Sequence, residues 1–508
     1  MESSSATGSA NAKLRVLILG GFGLVITLGC VLRFWKLTDV GLWYDELWAV
    51  VGASDRPFME VYREWILADS HPPGFFLFNF LWFKIVPTTE FWARIPHAMT
   101  ATVTVLYLLV GTRDVLTRDE RVMSASLMSL CYLNIRYALE VKQYSAMILL
   151  ATVATMSYLR IVQVRRVDHR TGITLSATCV GLAYLNYFAT AYAAILLLLL
   201  ALTFRGNRRL LRDVVRLGVG CGLCYLPIAY FLYLQLLYTP GDWQSPNLWA
   251  FFSDFLAALF VDDPVSVRVA VGLFAGSLLV MTMARPELRT TLRSGRNLHL
   301  LMIWISMTGF MLMLGLSKPI FFPRYFLVAF PVFFIGVGIL TAAMFPIRTG
   351  WLAIVPLVFF VKAGATQFRA IDTMQRQQWD KSVDLVLEWN KPGDRIYVLG
   401  ANTDKTSFDY LREGNVDGLF YVKNVKFYEY YFKRRGAPEI AAKLEVVEPT
   451  VESVMKLAER FLGTGTTVYV LAGHHIQYSG DPLTTLEQLT QKVDITVLYS
   501  TLVYRLTF

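Results

Sequence analysis

Two neighbouring carboxylates, Asp45 and Glu46, stand in Leu42-Trp43-Tyr44-Asp45-Glu46-Leu47-Trp48, just after the first long apolar stretch of the chain. Acids at a membrane edge are costly to desolvate and are usually kept for a task. A carboxylate partly withdrawn from water can take a proton from a hydroxyl nucleophile. The pair therefore suggests acid–base chemistry on a membrane-bound substrate. The plainer reading is a helix start, where acids favour the positive end of the dipole.

Further along the same loop comes Ser70-His71-Pro72-Pro73. Proline biases His71 toward an extended conformation, and the Pro-Pro pair can open a helix. His71 could orient a phosphate or ligate a divalent metal. With six His in the chain and no second one in a motif, the metal reading is the weaker one, and no cofactor is demanded by the pattern. Arg94, Lys142 and Arg324 are the basic candidates. Such cations can snorkel to headgroups or hold a lipid-linked phosphate, for which Arg is well suited. Glu140 and Lys142 share a helical turn with Tyr144, where a structural ion pair is the alternative.

Composition dictates what must position these residues. Of 508 residues, 55% are hydrophobic and 17% charged, which excludes an ordinary soluble protein and fits a polytopic α-helical membrane protein. Apolar runs occur near Val16–Phe34, Ile95–Gly111, Val122–Arg136, Tyr144–Leu159, Thr174–Tyr187, Ala189–Phe204, Val214–Leu236, Val267–Met283, Leu298–Leu316, Tyr325–Phe345 and Trp351–Ala365. They predict about eleven transmembrane helices. Phe75–Val86 is apolar but short, and reads as an interfacial or re-entrant helix. Residues 1–15 are Ser/Ala-rich at the start and read as a disordered cytoplasmic segment.

The net charge of +10 comes from Arg and Lys clustered in alternate connections, the positive-inside pattern rather than a nucleic-acid face. It predicts a cytoplasmic N-terminus. Asp45, Glu46, His71, Arg94, Glu140, Lys142, Tyr187 and Arg324 then all fall on the outer side, the first four in a long outer loop over residues 36–94. The five cysteines lie within apolar runs and read as small apolar helix residues; Cys221 and Cys224 have CxxC spacing without His partners.

After the membrane part (residues 16–366), residues 367–508 turn polar. Arg395–Leu399 and Thr466–Leu471 alternate as strands, Val451–Leu462 and Leu483–Val493 as amphipathic helices, and Ile495–Phe508 as one or two further strands. An extracytoplasmic α/β domain follows. Gly463-Thr464-Gly465 precedes a strand, and no GxGxxG is present, so nucleotide binding has little support.

The Trp43-Tyr44-Asp45-Glu46 start of the first outer loop, the later His-Pro-Pro and Arg94-Ile95-Pro96 together resemble the GT-C superfamily of membrane glycosyltransferases. The branch they resemble is the protein O-mannosyltransferase and lipid A aminoarabinose transferase group. Glu140-Val141-Lys142-Gln143-Tyr144 resembles that group's E-x-R-x-Y stretch, with Lys142 in place of Arg, and Pro323-Arg324-Tyr325 its later Arg-Tyr. The resemblance implies a polyprenyl-phosphate sugar as donor and a lipid, glycan or protein as acceptor. It implies inversion at the anomeric carbon, with Asp45 as general base, Glu46 beside it, and the Arg and Lys residues on the phosphate. Two other classes fit a polytopic chain: a lipid or sugar transporter or flippase, though no clear inverted repeat is visible, and a membrane scaffold with an outer binding domain.

Overall fold

The computed structural model describes residues 2–54, 56–238, 286–317, 323–347, 351–401, 405–473, 490, 492–498 and 501–508. The first helix, α1 (Glu2–Leu32), takes in residues 2–15, expected to be disordered. Extending a helix that the apolar span has already nucleated costs far less than starting one.

The chain then turns through Lys36, in the left-handed region at φ 62°, into the long loop between α1 and the helix that starts at Glu90. The loop holds α2 (Tyr44–Ala53), α3 (Phe58–Val61) running into a π-turn, and α4 (Gly74–Trp82). As the Pro-Pro signal predicts, α4 begins directly after Pro73. It buries Phe75 and Phe76 and exposes Phe78 and Leu81, the two-sided pattern of an interfacial helix.

Next come α5 (Glu90–Leu106), α6 (Arg118–Leu130), α7 (Tyr132–Ala138), α8 (Tyr144–Val164), α9 (His169–Leu185), α10 (Tyr187–Thr203) and α11 (Arg208–Tyr238). After residues 239–285 follow α12 (Pro286–Leu292), α13 (Gly295–Ser317), α14 (Phe330–Met344) and α15 (Ile354–Asp372). Among the described residues, seven helices are long and apolar enough to cross a membrane, and α10 is a shorter apolar one. The chain is a polytopic α-helical membrane protein. The expected span Val267–Met283 lies outside the described residues.

The expected span Val122–Arg136 is divided instead. Cys131 is extended (φ −63°, ψ 118°) and separates α6 from α7. The cause is Arg33, fully buried at the end of α1. Its Nη1 donates to Ser129 O at 2.8 Å and its Nη2 to Met128 O at 3.0 Å. A cation thus satisfies the last carbonyls of α6 and favours its negative end.

α1 packs on α6 and α15, α6 on α14, α5 on α8, and α8 on α9, which also meets α10 and α11. These helices share one apolar core. The outward side of α11 exposes Val219, Leu223 and Leu226, a surface suited to lipid rather than water. All five cysteines are free thiols.

Beyond α15 the chain forms α16 (Trp379–Trp389), α17 (Ser407–Arg412), α18 (Val416–Arg434), α19 (Pro438–Ala441) and α20 (Val451–Phe461) around one sheet. The strands are β1 (Arg395–Leu399), β2 (Glu445–Val447), β3 (Thr467–Ala472), β4 (Lys492–Leu498) and β5 (Thr501–Thr507), in the order β2-β1-β3-β5-β4. β1 is parallel to β2 and β3; β5 is antiparallel to β3 and β4. Most of the expected helix Leu483–Val493 lies outside the described residues, and its last two residues belong to β4.

Side-chain alternation divides the sheet into two faces. Tyr397, Leu399, Val468, Val470 and Tyr504 pack with α20. Ile396, Val398, Tyr469, Leu471 and Val503 face the other way, into a core shared with α16 and α18. That second core also contains Leu42, Tyr44, Leu47, Trp48, Trp65 and Phe75 of the loop between α1 and α5. The α/β region and the loop that carries Asp45 are therefore built as one packed body.

Candidate active site

Helix α2 begins at Tyr44 because Glu46, in its third position, reaches back: Trp43 N–H donates to Glu46 Oε2 at 3.3 Å. Both acids sit in the first turn, where the helix dipole favours them. The expected helix start and a chemical role are thus compatible, and the two side chains take opposite directions.

Glu46 is turned inward and has no solvent exposure. Arg94 donates to it twice, Nε to Oε1 at 2.8 Å and Nη2 to Oε2 at 2.7 Å. Arg376 Nη1 adds a bond of 2.8 Å and Val141 N one of 3.0 Å. Burial would push this carboxyl up, but Arg94 and Arg376 outweigh it and hold it at about 2. Arg94 spends its remaining donors on Leu37 O, Val40 O and Gly41 O, at 2.8, 2.7 and 3.0 Å. All five of its N–H groups are occupied. Expected on a phosphate, Arg94 instead clamps the loop to Glu46.

Asp45 points the other way, its side chain 27% exposed. Lys142 Nζ lies 3.5 Å from Oδ2 and Arg324 Nη1 3.4 Å. Burial opposes ionisation, but Lys142 and Arg324, with His71 behind them, hold the carboxyl below the usual carboxylate range. Lys142 is delivered by the connection between α7 and α8, and Arg324 by the 3-10 turn Pro323–Ala329 that leads into α14. The departure from Arg to Lys in the E-x-K-x-Y stretch therefore still puts a cation on Asp45.

Tyr144 opens α8 and packs against Tyr137, ring centres 4.6 Å apart. Tyr325 stacks on Phe188 at 4.7 Å, and the Arg324 guanidinium lies 5.7 Å from the Tyr325 ring centre. These rings wall the cation pair. His71 Nδ1 is 2.6 Å from Asp69 Oδ1. Glu140 is buried beside Arg136 (3.3 Å) and Arg376 (3.5 Å), so it stands on the Glu46 side of the network rather than with Asp45. Tyr187 stands at the start of α10, its hydroxyl buried without a partner among the described residues.

The structure thus gathers Asp45, Lys142, Arg324 and His71 on one side of α2. Glu46, Arg94 and Glu140 form a separate buried cluster. Arg376 on Glu46 and Asp69 on His71 were missed in the sequence. Arg376 has no motif around it; Asp69, two residues before His71, carried the one signal that spacing could have offered. Among the described residues no three His, Cys, Asp or Glu side chains converge as a metal ion would require.

Residues 70–233 match the family model of the dolichyl-phosphate-mannose-protein mannosyltransferases. The match begins at the Ser-His-Pro-Pro motif and includes Arg94, Lys142 and Tyr187. No curated protein matches the chain in sequence. In fold, the chain is similar to ArnT from Cupriavidus metallidurans in the apo state, with TM-score 0.57, 9% identity, and 96% of this chain and 98% of that one covered. The same protein bound to undecaprenyl phosphate gives TM-score 0.54 and 11% identity over the same shares. The arabinofuranosyltransferase AftD from Mycobacteria gives 0.50 and 13%, covering 95% of this chain and 39% of that one. Helical membrane part and α/β region align together, so the chain shares the fold of ArnT over nearly its whole length.

Proposed function

We propose that the protein is an inverting glycosyltransferase that moves a sugar from a polyprenyl-phosphate donor to an acceptor on the outer face of the membrane. The observation that carries this reading is Asp45, a partly exposed carboxylate with Lys142 and Arg324 both on its Oδ2. One group can accept a proton and two can hold an anion, within a single ion-pair distance. Undecaprenyl phosphate bound to the similarly folded ArnT supports a lipid phosphate as the ligand.

In this reading the donor phosphate competes for Lys142 and Arg324 and loosens their hold on Asp45, which makes the carboxylate a better base. The acceptor hydroxyl attacks the anomeric carbon from the face opposite the phosphate. Its proton passes to Asp45, the bond from the anomeric carbon to the phosphate oxygen breaks, and the electron pair leaves with the lipid phosphate. Lys142 and Arg324 stabilise that growing charge. Glu46 keeps the start of α2 in place.

The test is single-turnover transfer from a radiolabelled polyprenyl-phosphate sugar by purified protein. Label should move to an added acceptor in the wild type and not in Asp45→Asn. Label that crosses the bilayer still attached to lipid would make the protein a flippase, and binding without either outcome would make it a scaffold.

A further inference from the structure

His71 is held more tightly than a loop residue needs to be. Asp69 Oδ1 accepts the backbone N–H of His71 at 2.7 Å and lies 2.6 Å from ring Nδ1. The Asp69 side chain is only 8% exposed. From α11, Gln235 donates through Nε2 to Asp69 O, and to His71 O at 3.1 Å. Gln235 is one of four buried residues on α11. Nδ1 is thereby committed, and Nε2 is the ring atom left to meet a ligand. The ring lies within electrostatic reach of Asp45. A second polar group in the same place lacks a partner: the Tyr187 hydroxyl is buried, unbonded among the described residues, and near Asp69. Buried hydroxyls are normally satisfied by protein, water or ligand.

We infer that Asp69 is a positioning residue of the transfer reaction: it fixes the His71 ring so that Nε2 donates to the phosphate of the lipid donor. The inference rests on the function proposed above and adds a third point to the anion site of Lys142 and Arg324. With Nδ1 donating to Asp69 and Nε2 to the phosphate, the ring acts as a cationic donor. At transfer the electron pair of the broken bond collects on the phosphate, and the ring stabilises it without releasing a proton.

The test is a double-mutant cycle on Asp69 and His71 in the full-length protein. Two readouts are used: binding of undecaprenyl phosphate in micelles, and transfer kinetics. Asp69→Ala should weaken lipid-phosphate binding and raise the donor KM about tenfold, the usual size for losing a partner that orients a ligating His, with the acceptor KM unchanged. Asp69→Asn, which keeps the volume and one acceptor oxygen, should fall between and guards against misfolding of the alanine variant. In a His71→Ala background, Asp69→Ala should add less than a twofold loss. The same tenfold loss in both backgrounds would make Asp69 a structural residue, and wild-type binding by the folded single variants would remove it from the site; either overturns the inference. A wild type that binds undecaprenyl phosphate but transfers nothing overturns the proposed transfer, and the binding cycle then decides only whether Asp69 positions His71 for the phosphate. A wild type that binds none overturns both.

Discussion

Asp45 and Glu46 are adjacent, chemically alike and put to different uses. Asp45 keeps 27% of its side chain exposed and meets Lys142 and Arg324 through one oxygen; Glu46 is enclosed by two guanidiniums and two backbone N–H groups. Asp45→Asn should therefore lower transfer by about a hundredfold to ten-thousandfold, the range for losing a general base, while binding of the lipid phosphate stays near normal. Lys142→Met gives a test with a definite sign. Lys142 helps hold the Asp45 carboxyl low, so removing it lets that carboxyl rise. A base works only above its own pKa, so the acid limb of the transfer-rate profile should move to higher pH. Arg324→Ala removes a charge-assisted contact worth about 1.5–3 kcal/mol. Donor affinity measured by titration should fall roughly tenfold to a hundredfold, and acceptor affinity should not. The sequence could nominate Asp45, Lys142 and Arg324 from their order along the chain. Residue types and spacing alone could not separate Asp45 from Glu46, which only the family resemblance did, because the partner that fixes Glu46, Arg376, is 330 residues away.

The same asymmetry shapes whole elements. The Glu46 cluster ties the loop after α1 (through Leu37, Val40 and Gly41), the start of α2, α5 and the α7–α8 connection to the segment after α15. Removing one member leaves buried charge without its counter-charge, which costs about 3–5 kcal/mol. Glu46→Gln and Arg376→Gln should each lower the thermal unfolding midpoint in detergent clearly more than Asp45→Asn does. The pH dependence has one direction. The Glu46 carboxyl is depressed from 4.5 to about 2 in the folded protein. Its contribution is complete above the unfolded value and is lost as pH falls from about 4.3 toward about 2. The Glu46→Gln variant should lack that part of the acid loss. At this scale local signals read well: Pro72-Pro73 announces α4, and period-2 alternation announces β1 and β3. The break at Cys131 was not readable, since Arg33, which holds the end of α6, stands 96 residues upstream of its partner Ser129. The expected disorder of residues 2–15 missed how readily an apolar span extends its own helix.

Across the whole molecule, the basic connections predict the orientation. A reporter active only in the cytoplasm, fused after Phe508, should be silent, while the same reporter in the connection between α8 and α9 should be active. A strong cytoplasmic signal after Phe508 would put the α/β region, and Asp45 with it, on the other side. The sequence anticipated a separate C-terminal domain after residue 366. The packing joins that region to the loop between α1 and α5 in one core. Periodicity reports which face of an element is apolar and says nothing about which distant face will cover it.

That shared core places a clock in the biogenesis of the protein. Glu46 is synthesised 330 residues before Arg376, an interval of roughly 15–65 s at ordinary elongation rates. Throughout it, Leu47, Trp48 and Trp65 also wait for the covering surface of α16 and α18. The nascent chain must hold an acidic, aromatic-rich loop next to the bilayer with its final partners still unmade. A chaperone that recognises exposed aromatic surface would find its substrate in that window, and the loop would leave the chaperone only as the last part of the chain docks.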